Sequence, residues 1–280
     1  MGQQPIITLL TDFGADDGYV GAMKGVMLGI LPNVNLIDVS HTIRPQNVRQ
    51  AAYVLSSIYP YFPPGTVHLV VVDPGVGSDR RPIAVRVPGA CLVGPDNGVL
   101  SYIMSSEPVH DVFELAHPRY RLHPVSDTFH GRDVFAPAAA YLAAGVEIAA
   151  LGPRVVDPMR LPAPRLALDG NVVHGEVLHI DRFGNGVTSI GRLVWEGLDL
   201  LLRPSFGAVV DASVRIPSAA AQVAVASQIL QGVHRIYAEV APGEGIALVG
   251  SDGYLEIAVR EGDGAAVLGL ELGDSVTLSF

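Results

Sequence analysis

An apolar run, Val67, Leu69, Val70, Val71 and Val72, stops at Asp73 and gives way at once to Pro74, Gly75 and Gly77. Short apolar runs bounded by turn residues read as central strands. A carboxylate at the exit of such a strand lies where open α/β sheets bind ligands. Arg80 and Arg81 follow within one loop. An acid and a guanidinium that close can hold a water or a small polar group between them. The alternative is that Asp73 caps the next turn.

The front half repeats this rhythm. Ile6 to Leu10 reads as a short buried strand ending in Thr11-Asp12-Phe13-Gly14. A helix is expected from about Tyr19 to Leu31, stopped by Pro32, with Asp16 and Asp17 as acids favourable at its N-terminus. Val34 to Val39 is the next strand, ending in Ser40 and His41. A helix over Asn47 to Tyr61 places Val48, Ala51, Ala52, Leu55 and Ile58 on one face. Ile83 to Val87 and Cys91 to Val93 are further strands, and Asp133 to Ala144 is Ala-rich and helical. Strands alternating with helices predict an α/β fold, a mostly parallel sheet sandwiched by helices.

The rear half changes character. Pro153, Pro158, Pro162 and Pro164 punctuate a linker from about Gly152 to Arg165. Strand-like runs then follow one another: Val172 to Ile180, Val187 to Ile190, Ser213 to Ile216, Gln222 to Ser227, Val233 to Val240, Ile246 to Gly250, Tyr254 to Val259 and Ser275 to Phe280. Leu193 to Leu202 is the one candidate helix. Short strands with Gly-rich turns predict a smaller antiparallel, barrel-like domain. The expected domains are therefore 1–165 and 166–280.

Composition narrows the function. A chain of 280 residues, 49% hydrophobic and 16% charged, can bury a large core. Its formal charge of −10 disfavours nucleic acid as a partner and mildly favours a cationic small substrate. Cys91 is the only cysteine, so no intrachain disulfide is expected and the cytoplasm is the default compartment. The start, MGQQPIITLL, has no basic region of a signal peptide, and Ile6 stands where a myristoylation signal after Gly2 wants Ser or Thr. No apolar run is long enough to span a bilayer. HExxH, paired cysteines, a calcium loop, a P-loop and a GxSxG elbow are all absent, so no metal site or cofactor is indicated.

Several strand-end clusters could carry chemistry. Asp12 suits either a ribose hydroxyl or a turn. The Asp96-Asn97-Gly98 turn suits a tight reversal, with Asn97 also in reach of a substrate. In Phe129-His130-Gly131-Arg132-Asp133, His130 can act as a base or orient a water. Gly131 would let a ligand approach the backbone, and Asp133 is expected as a helix N-cap. In Asp181-Arg182-Phe183-Gly184-Asn185-Gly186, Phe183 could stack on a purine and Asn185 could read a polar edge; a hairpin turn is the alternative. Ser251-Asp252-Gly253 is a hairpin signal, and Arg260 ends the strand after it.

Taken in order, LTDFG (Leu10 to Gly14), VVDPGVG with its following arginines (Val71 to Arg81), GPDNG (Gly94 to Gly98), FHGRDVFAP (Phe129 to Pro137), IDRFGN (Ile180 to Asn185) and GSDGYLEIA (Gly250 to Ala258) resemble one family. It is the S-adenosylmethionine (SAM) hydroxide adenosyltransferases, or SAM hydrolases, relatives of the fluorinase and chlorinase. The resemblance covers nearly the whole chain. It implies hydrolysis of SAM to adenosine and L-methionine, with SAM as substrate and no cofactor. It implies a homotrimer whose active sites lie between the front domain of one subunit and the rear domain of a neighbour. The family's water-handling set falls on Asp73, Arg80 and His130, and its ribose-binding acid on Asp12. Asp181 and Asn185 match residues that hold the methionine portion, and Phe183 a neighbouring aromatic. Ser251 and Arg260 lie near methionine- and adenine-side contacts, and Asn97, Phe129 and Gly131 are counted to the same substrate site. The fluorinase has a tyrosine where Asp73 stands, a serine near Gly131 and an insertion before its matching turn. These departures favour water over halide.

A sulfonium is already a good leaving group, so displacement needs a positioned, polarised water and neither acid nor metal. On this reading Asp73 and His130 orient and deprotonate the water, with His130 the proton acceptor, and Arg80 stabilises the hydroxide-like nucleophile. Three alternatives remain at this point: a halide-dependent adenosyltransferase, a metal-dependent hydrolase using Asp12, Asp73, Asp96 and His130, and a nucleoside-binding sensor.

Overall fold

The structure, a computed structural model, describes residues 4–203, 205–206 and 214–280. The readings made at Gly2 and at Ser213 lie outside the described residues. The chain divides into two compact units, Met1–Leu161 and Pro162–Phe280, and the division falls within the proline-punctuated segment.

In the first unit six strands, β1 (Ile6–Thr11), β2 (Asn35–Ser40), β3 (Thr66–Val71), β4 (Pro82–Val87), β5 (Ala90–Pro95) and β6 (Asp111–Glu114), form one sheet in the order β2-β1-β3-β5-β4-β6. β2, β1, β3 and β5 run parallel, and β4 and β6 add an antiparallel edge. The helices are α1 (Tyr19–Ile30), α2 (Val48–Ile58), α3 (Ser101–Ser106) and α4 (Ala136–Ala143).

The two-residue period of a strand explains the layering. Ile7, Leu9, Val67, Leu69 and Val71 pack on one face with Met23 and Met27 of α1 and Ala138 and Ala139 of α4. Leu10, Val70 and Val72 pack on the other with Ala51 and Leu55 of α2 and Ile103 of α3. Burial on both faces is why β3 reads as an unbroken apolar run. His68 is the polar exception: it is buried, bonded to Thr8 Oγ1 at 2.9 Å, and lies against the Tyr59 and Phe62 rings.

Two details differ from expectation here. Asp16 and Asp17 stay exposed ahead of α1, because Gly18 is the cap and the first turn holds no acid. Asp133 does not cap a helix either. A π-turn over Gly131–Phe135 precedes α4, and within it the Asp133 carboxylate turns back to accept from the Ser126 N–H at 2.8 Å and from Arg132 Nε at 2.6 Å. Burial alone would raise this carboxyl, but Arg132 and the Ser126 N–H hold it below its ordinary value.

The second unit is antiparallel. Its strands are β7 (Ala167–Asp169), β8 (Val172–Ile180), β9 (Gly186–Thr188), β10 (Leu193–Glu196), β11 (Asp199–Leu202), β12 (Val214–Pro217), β13 (Gln222–Val225), β14 (Gln228–Gln231), β15 (Gly245–Val249), β16 (Leu255–Val259) and β17 (Ser275–Ser279), with one short helix, α5 (Gly264–Leu268). The main sheet runs β14-β13-β17-β8-β9-β16-β15, with β7 on β8, and β14 returns to touch β15, so it nearly closes as a barrel. β10, β11 and β12 form a small separate sheet.

The helix expected over Leu193–Leu202 is instead the β10–β11 hairpin. Gly197, at φ +66°, supplies a left-handed turn that a helix could not pass through. The strand expected over Val233–Val240 is also absent. The Glu239 carboxylate accepts from the Arg235 and Ile236 N–H groups, giving that backbone a local partner in place of a ladder.

Candidate active site

Asp73 lies two residues beyond β3, and Arg80 returns to it across the Pro74–Asp79 loop. Arg80 Nε donates to Asp73 Oδ1 at 2.8 Å, and Arg80 Nη2 donates to Asp73 Oδ2. The same Nη2 lies 2.7 Å from Nδ1 of His130, which comes from the turn just before α4. Arg80 also sits over the Phe135 ring, 5.2 Å from its centroid. The Asp73 and Arg80 side chains are only 6% and 9% exposed, so this is an ion pair inside protein. Arg80 Nη1 is buried and has no hydrogen-bond partner among the described residues.

The contact between Arg80 and His130 settles a tautomer. A guanidinium only donates, so Nδ1 of His130 is the acceptor. The neutral ring then carries its hydrogen on Nε2, and its one basic nitrogen faces a cation. Burial, followed by the Arg80 charge, pushes the His130 pKa below its ordinary value. In this arrangement Arg80 occupies the basic nitrogen of the neutral ring, and the hydrogen His130 can offer is the one on Nε2. Arg81 takes no part in this cluster. Successive side chains of extended backbone point to opposite sides. Arg81 accordingly pairs with Asp96, Nε to Oδ2 at 2.9 Å, and with Asp157, Nη1 to Oδ1 at 2.7 Å.

Asp12 stands at the same sheet edge. Its strand β1 pairs with β3, Thr11 opposite Val71, so Asp12 and Asp73 leave adjacent strands side by side. Asp12 Oδ2 accepts from the Gln46 N–H at 2.7 Å, which supports Gln46 in a left-handed conformation at φ +66°. Asp12 Oδ1 has no hydrogen-bond partner among the described residues. The edge thus combines a buried guanidinium with one unpartnered NH₂ group, a neutral imidazole and a carboxylate with one free oxygen. Such a set can hold a water or small anion beside a hydroxyl-bearing ligand.

Residues 7–152 match the SAM hydroxide adenosyltransferase N-terminal domain, and residues 175–277 match the C-terminal domain of the same name. This chain belongs to the SAM hydroxide adenosyltransferase family. It is 38% identical to an (R)-S-adenosyl-L-methionine hydrolase of Thermus thermophilus, over 97% of this chain and 98% of that one. It is also 38% identical to a protein of the same name from Salinispora tropica, over 100% and 99%. A fluorinase of Nocardia brasiliensis is more distant, 29% identical over 70% of this chain and 75% of its own. A crystal structure of an uncharacterized conserved protein from Thermotoga maritima superposes with a TM-score of 0.84 at 34% identity, covering 97% of this chain and 99% of that one.

The other residues that the adenosyltransferase resemblance singled out sit as follows. Asn97 Nδ2 donates to the Val72 carbonyl at 2.9 Å and its Oδ1 accepts from the Val99 N–H at 3.1 Å, so it braces the chain next to Asp73. Phe129 makes an aromatic trio with Phe13 and Tyr19, centroids 6.0 and 5.2 Å away. Gly131 is tight against protein: a Cβ there would lie 3.2 Å from Met23 Sδ and 3.3 Å from the Phe129 and Phe13 rings. Its smallness is used by these side chains, which corrects the reason first expected for it.

In the second unit, Asp181 and Asn185 satisfy each other across the β8–β9 turn. Asp181 Oδ1 accepts from the Phe183 and Asn185 N–H groups at 2.8 and 2.9 Å, and Oδ2 from Asn185 Nδ2 at 3.2 Å. The knot leaves Phe183 73% exposed at its tip. Ser251 lies in the β15–β16 turn, whereas Arg260 follows the far end of β16 and donates to the Val240 carbonyl at 2.8 Å. The structure does not bring these two together: at about 3.3 Å per residue the strand separates them by roughly 15–20 Å.

Two features escaped the sequence reading. His41 bonds Thr11 Oγ1 at 2.9 Å and Asp38 Oδ1 at 2.9 Å. Glu256, half-buried in β16, accepts from the Tyr237 hydroxyl, and burial raises its carboxyl pKa. A charged residue between the apolar neighbours Leu255 and Ile257 was the available signal for the second. For the first, Asp38 lies only three residues from His41, but the Thr11 contact spans 30 residues and left no local signal. Among the described residues no cluster of three or more His, Cys, Asp or Glu is placed to hold a metal ion, and no helix is long and apolar enough to cross a membrane.

Proposed function

We propose that this chain hydrolyses SAM to adenosine and L-methionine by in-line attack of water on the ribose 5′ carbon. The observation that carries the reading is the buried Arg80, bound to Asp73 and His130, with its Nη1 amino group left without a partner among the described residues. A buried N–H left unmade costs about 1–3 kcal/mol, so an oxygen is favoured there. The family membership and the relatives named SAM hydrolases support the same substrate.

The chemistry is simple to balance. The C5′–S bond breaks with its electron pair going to sulfur, so methionine leaves as a neutral thioether. The water oxygen forms the new C–O bond, and the oxonium that results is strongly acidic. A weak base is enough to take its proton, and the Asp73 carboxylate supplies one. Arg80 and the His130 Nε2–H steady the oxygen while it attacks, and preorganisation supplies most of the rate. Asp12 holds the ribose through its free oxygen. Asp181, Phe183 and Asn185, through the turn they build, and Ser251 belong to the methionine side of the proposal. A homotrimer with sites shared between subunits, action without a metal, and a cytoplasmic location complete it. The single cysteine, Cys91, partly buried in β5, suits a reducing compartment.

Turnover of SAM in ¹⁸O-labelled water tests the reading. Label is expected in the adenosine 5′ hydroxyl and none in methionine. Release of adenine, or unlabelled adenosine, overturns it. Chelation is expected to leave the rate unchanged, and native mass spectrometry is expected to give three copies.

A further inference from the structure

We propose that His41 is a positioning residue for substrate binding, setting the Asp12-bearing turn through Thr11; the inference rests on the reading that Asp12 holds the ribose. Thr11 is the last residue of β1 and is fully buried. Its Oγ1 accepts from the Phe13 N–H at 3.2 Å. The Asp38 carboxylate only accepts, so the neutral His41 ring carries its hydrogen on Nε2 and donates it to Asp38 Oδ1 at 2.9 Å. Nδ1 is then the acceptor, and the Thr11 hydroxyl donates to it across 2.9 Å. Asp38 Oδ2 in turn takes Lys24 Nζ at 2.6 Å, anchoring the relay on α1. One tautomer satisfies every contact.

His41 also grips the turn from its other side. Its carbonyl accepts from the Gly14 N–H at 2.7 Å. The four-residue turn Thr11–Gly14 is thus clamped at both ends by one residue, with Asp12 between the clamps. Asp12 Oδ2 meanwhile holds the Gln46 N–H, in the loop that His41 itself begins. The two loops form a single hydrogen-bonded body, and the free oxygen of Asp12 takes its direction from it. The arrangement of Thr11, His41 and Asp38 has the chemistry of a nucleophile–base–acid chain. With Thr11 fully buried, it serves as a strut.

The test separates positioning from folding and from the reading beneath it. Asn at position 41 places an amide oxygen close to where Nδ1 stands. His41→Asn therefore restores the Thr11 acceptor while giving up the Asp38 contact. His41→Ala removes both, and Thr11→Val removes the bond from the other side. The readouts are kcat and KM for SAM and the Kd for adenosine by calorimetry. His41→Ala and Thr11→Val are each expected to raise KM and Kd about tenfold, with kcat within about threefold, because small displacements of a binding group are costly. The double variant is expected to add little to either single one, as for residues joined in one network. His41→Asn is expected to return KM to within about threefold of the starting protein. Asp12→Ala checks the reading itself. If Asp12→Ala leaves KM and Kd unchanged, the ribose assignment fails. If Asp12→Ala raises them while Thr11→Val and His41→Ala do not, the ribose assignment stands and the His41 inference fails. Should His41→Ala not fold, Thr11→Val and His41→Asn decide: an unchanged KM in the first, or a KM still raised tenfold in the second, overturns the inference.

Discussion

Asp73→Asn is the most revealing single change, because one carboxylate neutralises Arg80 and shapes the field at His130. In the native site both Asp73 oxygens accept from Arg80, at Nε and at Nη2. Asn offers one oxygen and turns an NH₂ group towards a donor-only guanidinium. One charge-assisted hydrogen bond is lost, worth about 1.5–3 kcal/mol, and a donor now faces a donor. The Arg80 side chain, only 9% exposed, also loses its counterion; breaking buried pairs commonly costs about 3–5 kcal/mol of stability. The expected rate of adenosine release falls about 10²–10³-fold, the range seen when one preorganised electrostatic contact is removed. A second readout is independent of rate. The Asp73 charge raises the His130 pKa while burial and Arg80 lower it, so its removal moves that pKa further down. Adenosine is followed by chromatography, folding by urea unfolding and His130 by NMR titration. A folded Asp73→Asn protein releasing adenosine within about threefold of the native rate would refute the mechanism. An unchanged or raised His130 pKa would refute the coupling.

Three further predictions follow from other contacts. If His130 acts as a neutral donor, as proposed, its pKa, held below its ordinary 6.5 by burial and Arg80, means that kcat is expected to stay level as pH falls through 7 and to drop only below 6.5; an acid limb at or above 7 contradicts this. Burial pushes His68 down to about 4, so the unfolded chain takes up a proton first as pH falls. The His68 contribution to stability is expected to be complete above about pH 6.5 and to fall by about 3 kcal/mol towards pH 4, so urea unfolding of His68→Gln should show a shallower pH dependence. Gly184→Ala places a Cβ 2.0 Å from Asp263 Oδ1, at φ +82°, and that oxygen caps α5 by accepting from the Ala266 N–H. A loss of about 2–3 kcal/mol is expected from the clash and the cap together, measured by urea unfolding; a neutral effect would show that the turn and α5 are not packed as described.

The front unit was legible because its signals are local. Burial on both faces makes β1 and β3 apolar runs, and the residue after each run is where a sheet presents a ligand-facing edge. Six short motifs in register carried the family and, with it, the residues of the site. The rear unit was less legible where side chains supply the backbone's partners: Glu239 turns an expected strand into a short helical turn, and Gly197 turns an expected helix into a hairpin.

The sequence alone decided which side chains could take part: Asp73, Arg80, His130 and Asp12 were all visible as polar residues ending or following strands. Only the tertiary structure decided which partners each one meets. Arg80 and His130 lie 50 residues apart, and their contact places the imidazole hydrogen on Nε2 and occupies the ring's other nitrogen. Arg81 carries the same charge one residue later, yet extended backbone sends it away to Asp96 and Asp157. A proton's place and a guanidinium's direction depend on partners distant in the chain, and no local pattern encodes them.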